Sequence, residues 1–266
     1  MPSFGLDATL RPAMPRFPVA ALLPLLAIAP LSAHADTLKV LTTGAFKQVV
    51  VALVPAFEAR TGHKVDVQND TAGALAKRVA AGEAFDVIVL TPAGLRTLAS
   101  EAKVVPESVV ALARVGIGVA VKEGAPRPPV ATADEFKAAV LGARKVAYID
   151  PAAGGSSGIY LDGLFQKMGI AEAVRAKAVL VPGGLVAERL VSGEADLAIH
   201  QISEILPVKG AVLVAPLPEA IQNYTTYAGA VSPRAANAEA ARAFLAALAG
   251  DAANDVLRAK GMMPAR

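Results

Sequence analysis

Short apolar runs alternate with amphipathic segments in the first part of the chain. The runs at Leu38–Thr42, Lys64–Gln68 and Asp86–Leu90 are rich in aliphatic and β-branched residues, which predicts buried strands. A segment with helical periodicity follows each run, and Gly62 and Gly82 mark the ends of the first two predicted helices. Three strand–helix units in succession indicate a parallel sheet with right-handed crossovers.

A second series of strands and helices begins after a proline-rich loop at residues 123–129. Its predicted strands are Lys145–Ile149, Ala178–Val181, Asp196–His200, Val212–Ala215 and Tyr224–Val231. Its predicted helices are Asp134–Leu141, the helix from the loop at residues 150–158 to Met168, Leu185–Ser192, Asn237–Ala249 and Asp251–Arg258. The whole pattern predicts an α/β protein with two lobes, in which residues 36–118 and 222–266 form lobe 1 and residues 119–221 form lobe 2. One continuous doubly wound sheet is the alternative, which the proline-rich loop disfavours.

The first 35 residues have the pattern of a cleaved secretory signal peptide. Arg11 and Arg16 precede an apolar stretch at residues 17–31, and the small residues within 33–35 fit a signal-peptidase site. A buried N-terminal helix is the alternative, but the prolines in the apolar stretch would each cost about 3 kcal/mol inside a helix. We therefore expect residues 1–35 to be removed and the mature chain to be exported to the periplasm.

Composition and charge exclude several classes of protein. The chain has no cysteine, which rules out thiolate zinc sites, iron–sulfur clusters, cysteine nucleophiles and a lipid anchor at the cleavage site. The predicted signal peptide holds two arginines and one aspartate, so 24 basic and 22 acidic residues remain, a balance too mild for nucleic-acid binding. His63 and His200 have no paired spacing for a metal. We expect a monomer that uses neither a metal nor a cofactor.

The loops after the predicted strands are small, hydroxyl-bearing and rich in glycine. In open α/β sheets ligands bind outside the carboxyl ends of the strands, and helix N-termini that begin there attract anions. Glycine lets backbone N–H groups approach a ligand closely, and hydroxyl groups add further donors. The same residue types are also ordinary helix caps and turn formers, which is the alternative interpretation of any single loop. The candidate ligand-binding residues are Thr43, Gly44, Ala45, Thr71, Ala72, Ser156, Ser157, Gly183, Gly184 and Gln201.

One loop also matches a catalytic motif. Residues 154–158 fit the G-x-S-x-G pattern of serine hydrolases, with Ser156 in the place of the nucleophile. That architecture draws its histidine from after the last strands, whereas His200 is followed by several further elements. We therefore expect a binding protein and not an enzyme, with a hydrolase that uses Ser156 as the less favoured alternative.

Six short motifs spread over almost all of the mature chain are typical of one protein family. They are Leu38–Thr43, Leu75–Arg78, Ala81–Val87, Asp150-Pro151, Gly158–Tyr160 and Ser192–Asp196. In these motifs the chain resembles the periplasmic substrate-binding proteins of ABC importers with the type II fold, and within them the molybdate-binding family.

The resemblance implies a type II architecture with a ligand cleft between the lobes, an ABC-importer permease as partner, and a molybdate- or tungstate-type oxyanion as ligand. Ala45 stands where that family usually has a ligand serine, and Gln201 stands where a tyrosine is expected. A small organic carboxylate is the alternative ligand, because Asn69, Gln201 and His200 can recognise an asymmetric polar molecule better than a tetrahedral ion.

Overall fold

The computed structural model describes residues 1–3 and 36–265, and the part from residue 36 onward contains two β-sheets flanked by helices. The predicted signal peptide falls, from residue 4 to residue 35, outside the described residues. The predicted mixed α/β fold class is confirmed, and the alternative of one continuous sheet is wrong, because the strands form two separate sheets.

The first sheet combines strands from both ends of the described chain. Its strands are β1 (Thr37–Thr43), β2 (Lys64–Asp70), β3 (Val87–Leu90), β4 (Val110–Val115), β10 (Thr225–Val231) and β11 (Met263–Pro264). The strand order is β11-β4-β10-β3-β1-β2. Strands β1, β2 and β3 are parallel, as the repeated strand–helix units predict, whereas β10 runs antiparallel to β3 and β4.

The second sheet comes from the middle of the chain. Its strands are β5 (Ile117–Lys122), β6 (Val146–Ile149), β7 (Ala178–Val181), β8 (Leu197–Gln201) and β9 (Ala211–Pro216). The strand order is β7-β6-β8-β5-β9, in which β6 is parallel to β7 and β8, and β5 is antiparallel to β8 and β9. The carboxyl ends of β6 and β8 therefore lie at one edge of this sheet, as those of β1 and β2 do in the first.

Ten helices connect and cover the strands in the described part of the chain. They are α1 (Gly44–Thr61), α2 (Ala72–Ala80), α3 (Pro92–Ser100), α4 (Ala133–Gly142), α5 (Ser156–Lys167), α6 (Ala171–Arg175), α7 (Glu188–Val191), α8 (Ile202–Ile205), α9 (Ala238–Ala249) and α10 (Ala252–Ala259). None of these helices is both long enough and apolar enough to cross a bilayer.

Each sheet has its own buried apolar core. On the first sheet, Phe57 of α1 packs edge-to-face against Phe244 of α9 with the ring centroids 4.8 Å apart, so the closing helices cover strands from the start of the chain. On the second sheet, Tyr148 of β6 packs against Phe165 of α5 with the centroids 5.6 Å apart. Aromatic pairs in these geometries stabilise beyond the area that they bury.

Two parts of the predicted pattern differ from the structure. The predicted helix Leu185–Ser192 is reduced to the short α7, because turns and bends occupy residues 183–187 and Gly184 has a left-handed φ of 86°. Strands β4 and β11 and helices α6 and α8 were not predicted. Strand β11 is only two residues long and forms because α10 brings it beside β4, which local periodicity does not reveal.

The chain passes between the two sheets at two places, Gly116 and residues 217–224. Gln222 joins these crossings, because its Oε1 accepts a hydrogen bond from the Ile117 N–H at 2.8 Å and its Nε2 donates to the Ile117 carbonyl at 3.0 Å. The same Nε2 also lies 3.2 Å from the carbonyl of Leu217. The side-chain amide thus satisfies the backbone polar groups of a fully buried residue at the point where both crossings meet.

We expect Gln222→Ala to lower the free energy of unfolding by about 1–3 kcal/mol, because the buried Ile117 N–H would lose its acceptor Gln222 Oε1, whereas the Ile117 carbonyl would keep the Leu217 N–H as donor. Urea unfolding followed by circular dichroism measures this change. Gln166→Ala is the matched control, since the exposed Gln166 amide bonds only to Asp162 on the same helix. Equal stability of the two variants would contradict the assigned role of Gln222.

Candidate functional site

A small cavity of about 30 Å³ lies where the strand-end loops of the two sheets meet. This volume is far below the about 300–1,000 Å³ typical of small-molecule sites and has room for only about one or two water molecules, so the cleft is nearly filled by its own walls in this structure. Nine of the ten residues predicted to bind a ligand line it: Thr43, Gly44, Ala45, Thr71, Ala72, Ser156, Ser157, Gly184 and Gln201. Their loops follow β1, β2, β6, β7 and β8, so the parallel strands of both sheets bring residues distant in sequence together. A ligand-binding role for these residues stays a prediction.

Gly183 is the predicted residue that does not line the cavity. A side-chain carbon at Gly183 would lie 4.0 Å from Asp70 Oδ1, so this glycine stands beside the rim. Its loop also does not lead directly into a helix, because turns precede α7. The expectation that this loop offers helix N–H groups is therefore wrong.

Four helices begin at the cavity, α1, α2, α5 and the short α8, and of these only α2 has a side-chain cap. Thr43 precedes α1 and Gly155 precedes α5, and neither residue caps the first turn with a side-chain hydrogen bond. The hydroxyl oxygen of Thr43 is buried and has no hydrogen-bond partner among the described residues. Thr71 instead accepts a hydrogen bond from the Ala74 N–H at 3.1 Å and so caps α2. The N-termini of α1 and α5 and the Thr43 hydroxyl are thus suited to receive an anionic group.

The loops of the two sheets contact each other directly at one side of the cavity. The Thr71 hydroxyl donates to the carbonyl of Ala153 at 2.5 Å, and the Gly73 N–H donates to the carbonyl of Gly154 at 3.1 Å. A side-chain carbon at Gly73 would lie 2.8 Å from the Cα of Gly154, so both glycines are needed for this approach. The structure is therefore a closed form of the cleft at this edge.

Gln201 is buried in a hydrogen-bond network with two residues of β10. Its Oε1 accepts from the Tyr227 hydroxyl at 2.8 Å, and its Nε2 donates to Thr225 Oγ1 at 3.1 Å. The oxygen and the nitrogen of the Gln201 amide therefore both form hydrogen bonds from the second sheet to the first. Gln201 orients Tyr227 at the cavity wall, whereas the sequence predicted a side chain that would recognise the ligand itself.

Glu204 and His200 form a buried acid–base pair at the cavity. Their side chains are 10% and 2% exposed, and His200 Nε2 lies 3.4 Å from Glu204 Oε2. Burial raises the pKa of Glu204 to about 8 and lowers the pKa of His200 to about 3. Both groups are therefore predominantly neutral at pH 7, because removing an ion from water costs more than this pair recovers.

No lysine or arginine is among the described residues that line the cavity. Arg78 lies near its rim, but it forms two hydrogen bonds with Glu83 at 2.6 and 2.7 Å, and its Nη1 is 3.7 Å from Asp70 Oδ2. Its charge is thus already balanced by carboxylates. A bound anion would be stabilised by hydrogen bonds and helix ends.

Sequence reasoning missed Glu204 and Tyr227. A usable signal existed for Glu204, which lies in the segment directly after the predicted strand Asp196–His200, where ligand-binding residues of α/β sheets are found. Tyr227 lies within β10 and comes to the cavity only through sheet pairing, so no local pattern identifies it. Ser156 and His200 both line the cavity, but no hydrogen bond joins them in the described part of the chain, which gives the hydrolase alternative no support.

Residues 38–263 match the family described as bacterial extracellular solute-binding protein. Among solved structures, the fold is similar to the periplasmic molybdate-binding protein of Azotobacter vinelandii, with a TM-score of 0.73 and 18% identity over 86% of this chain and 100% of that one. It is also similar to PEB3 of Campylobacter jejuni bound to L-phospholactate, with a TM-score of 0.66 and 15% identity over 85% of this chain and 99% of that one. These matches confirm the resemblance to periplasmic substrate-binding proteins.

A protein from Pseudomonas sp. named aconitate isomerase is 35% identical over 263 residues, which cover 95% of this chain and 97% of that protein. This relative is named for an enzymatic activity, although the family consists mostly of binding proteins. The expectation that the chain is not an enzyme is therefore contradicted. Sequence motifs missed this because the family resemblance covers the scaffold, whereas chemistry depends on a few cavity residues.

We expect the Glu204→Gln variant to gain stability relative to the wild type as the pH rises from about 4.5 to 8. In this range the unfolded chain loses the Glu204 proton and the folded chain keeps it, so the wild type is progressively destabilised. Melting temperatures measured from pH 5 to pH 8 test this. Glu172→Gln, on the exposed face of α6, is the control that should run parallel to the wild type, and a parallel Glu204→Gln curve would contradict the burial argument.

Proposed function

The chain belongs to the bacterial extracellular solute-binding protein family, and from this premise we propose that its cleft binds a small polycarboxylate and interconverts its isomers, with aconitate as the first candidate. The observation that carries this proposal is the cavity itself. Uncapped helix starts that follow strands of both sheets and a buried, proton-carrying carboxyl group face one cavity. The similarity to a protein named aconitate isomerase supports the choice of ligand.

The cavity offers the interactions that a small polycarboxylate requires. Helix α1 follows a strand of the first sheet and α5 follows a strand of the second, so their N-termini face the cavity from two sides. Two carboxylates of one ligand can therefore each reach a helix N-terminus. The Thr43 hydroxyl and the nearly buried Ser157 supply further donors. Hydrogen bonds to charged groups contribute about 1.5–3 kcal/mol each, so a few of them suffice for micromolar binding without a cationic side chain.

Isomerisation of aconitate needs a group that moves a proton. Aconitate carries a methylene group next to its carbon–carbon double bond, so transfer of a proton from the methylene carbon to the far vinylic carbon shifts the double bond by one position. The carbon skeleton stays the same, and the conformation of the former methylene arm decides whether the cis or the trans isomer forms. A neutral cavity closed by loop contacts holds that arm and excludes water during the transfer.

Binding of a molybdate- or tungstate-type oxyanion for import is the second candidate function. The fold similarity to the molybdate-binding protein favours it, since family members of this type bind small anions and deliver them to ABC permeases. In both cases we propose that the mature chain is exported after loss of residues 1–35 and acts in the periplasm as a monomer. The lobes proposed for closure are residues 36–118 with 222–266 and residues 119–221.

The mature chain should be stabilised by cis- and trans-aconitate and should interconvert them. Thermal-shift measurements with both aconitates, tricarballylate, molybdate, tungstate and sulfate test binding, and proton NMR of the aconitates tests turnover. Stabilisation by molybdate or tungstate alone, without turnover of aconitate, would overturn the proposal in favour of the second candidate. Binding of aconitate without turnover would reduce it to a carboxylate-binding function.

Gly73→Ala should weaken binding of the ligand that stabilises the wild type by about tenfold or more, because the added carbon would push the Gly154 backbone away and hinder closure. Isothermal titration calorimetry measures the affinity. Gly163→Ala is the control, since an added carbon at this helical glycine meets no atom within 4 Å. Equal affinities of both variants would show that closure at this edge does not contribute to binding.

A further inference from the structure

We propose that Glu204 is the catalytic residue that carries the proton between the two carbons of the bound ligand. This inference rests on the proposed isomerisation and assigns its proton transfer to one side chain. The first support is position. Glu204 lies in α8, directly after the carboxyl end of β8, and its side chain lines the cavity.

The backbone on the opposite wall leaves room for this carboxyl group. A side-chain carbon at Gly44, the first residue of α1, would overlap Glu204 Oε1. The carboxyl group therefore reaches from the second sheet to the helix start of the first sheet, where an anionic group of the ligand is expected. A reacting carbon next to that group would lie beside the Glu204 oxygens.

The carboxyl group of Glu204 is not committed to a structural interaction. Among the described residues it makes no hydrogen bond, and His200 Nε2 lies 3.4 Å from its Oε2. A carboxyl group with so few partners is costly to bury, which argues for a role in the cavity. The neutral imidazole of His200 contacts this carboxyl group, and we assign His200 as the residue that positions the Glu204 side chain.

The other titratable groups that face Glu204 leave it as the group that exchanges a proton near neutral pH. Burial keeps His200 neutral, and burial together with Glu204 raises the pKa of Tyr227 above its usual value. Asp70 lines the cavity, but it accepts a hydrogen bond from the Thr71 N–H and lies near Arg78. Burial brings the pKa of Glu204 itself to about 8, so both its acid and its carboxylate forms are accessible.

The proposed step is balanced without a further reactant and starts from the carboxylate form of Glu204, which is the minor form at pH 7. A C–H bond of the ligand methylene group breaks, a Glu204 O–H bond forms, and the electron pair spreads over three carbons and the attached carboxylates. The Glu204 O–H bond then breaks as a C–H bond forms at the former vinylic carbon. Nothing is oxidised or reduced, and Glu204 returns to its starting form.

Glu204→Gln tests the assignment, because glutamine keeps the shape of the side chain but cannot accept and return the proton. We expect the isomerisation rate to fall by about 100- to 10,000-fold, while the affinity for trans-aconitate measured by calorimetry changes by less than about tenfold. The Glu172→Gln control should keep the wild-type rate. Circular dichroism and the melting temperature confirm that the variant is folded.

Exchange of the ligand methylene protons in D₂O provides a second measurement. The wild type should incorporate deuterium into aconitate, and Glu204→Gln should do so at a similarly reduced rate. A wild type that neither isomerises nor exchanges aconitate would overturn the proposed function itself. An active wild type with an equally active Glu204→Gln variant would overturn only the assignment of Glu204.

Discussion

The two crossings of the chain between the sheets decide where every residue of the cavity lies. They are held together by the Gln222 amide at Ile117, and they set the two sheets so that the carboxyl ends of their parallel strands meet. On one sheet alone these loops would be ordinary connections between strands and helices, and the meeting of the two sheets makes them the walls of one cavity. The direct contact between Gly73 and Gly154 shows how closely these walls approach, since neither position tolerates a side chain.

Burial, more than charge, gives this cavity its chemical character. No cationic side chain lines its described part, and the nearest guanidinium group, that of Arg78, is balanced by carboxylates. In such surroundings the charged forms of both Glu204 and His200 are disfavoured, so the pair holds its proton near neutral pH. An oxyanion-binding cleft has no evident need for an acid of this kind, whereas a proton-transfer site does.

The fold depends on the whole scaffold, whereas the candidate chemistry depends on a few residues that line the cavity. The similarities to the molybdate-binding protein and to PEB3, at 18% and 15% identity, concern the scaffold that brings helix starts to a cleft. The relative named aconitate isomerase matches the chain much more closely in sequence. A scaffold that encloses a small anion needs only one suitably buried acid to acquire proton-transfer chemistry, because enclosure and orientation are already provided.

The sequence by itself determined the elements whose signals are local. The parallel strands β1 to β3 and the glycine-rich loops after β1, β2 and β6 follow from periodicity and residue type, and nine of the ten predicted ligand-binding residues line the cavity. Only the tertiary structure decided which polar groups are free. It engaged Gln201 with Tyr227 and Thr225 and left the carboxyl group of Glu204 without a hydrogen bond to any residue that the structure describes. The physical reason is that hydrogen-bond partners and burial depend on pairing between strands far apart in the chain, which no local pattern encodes.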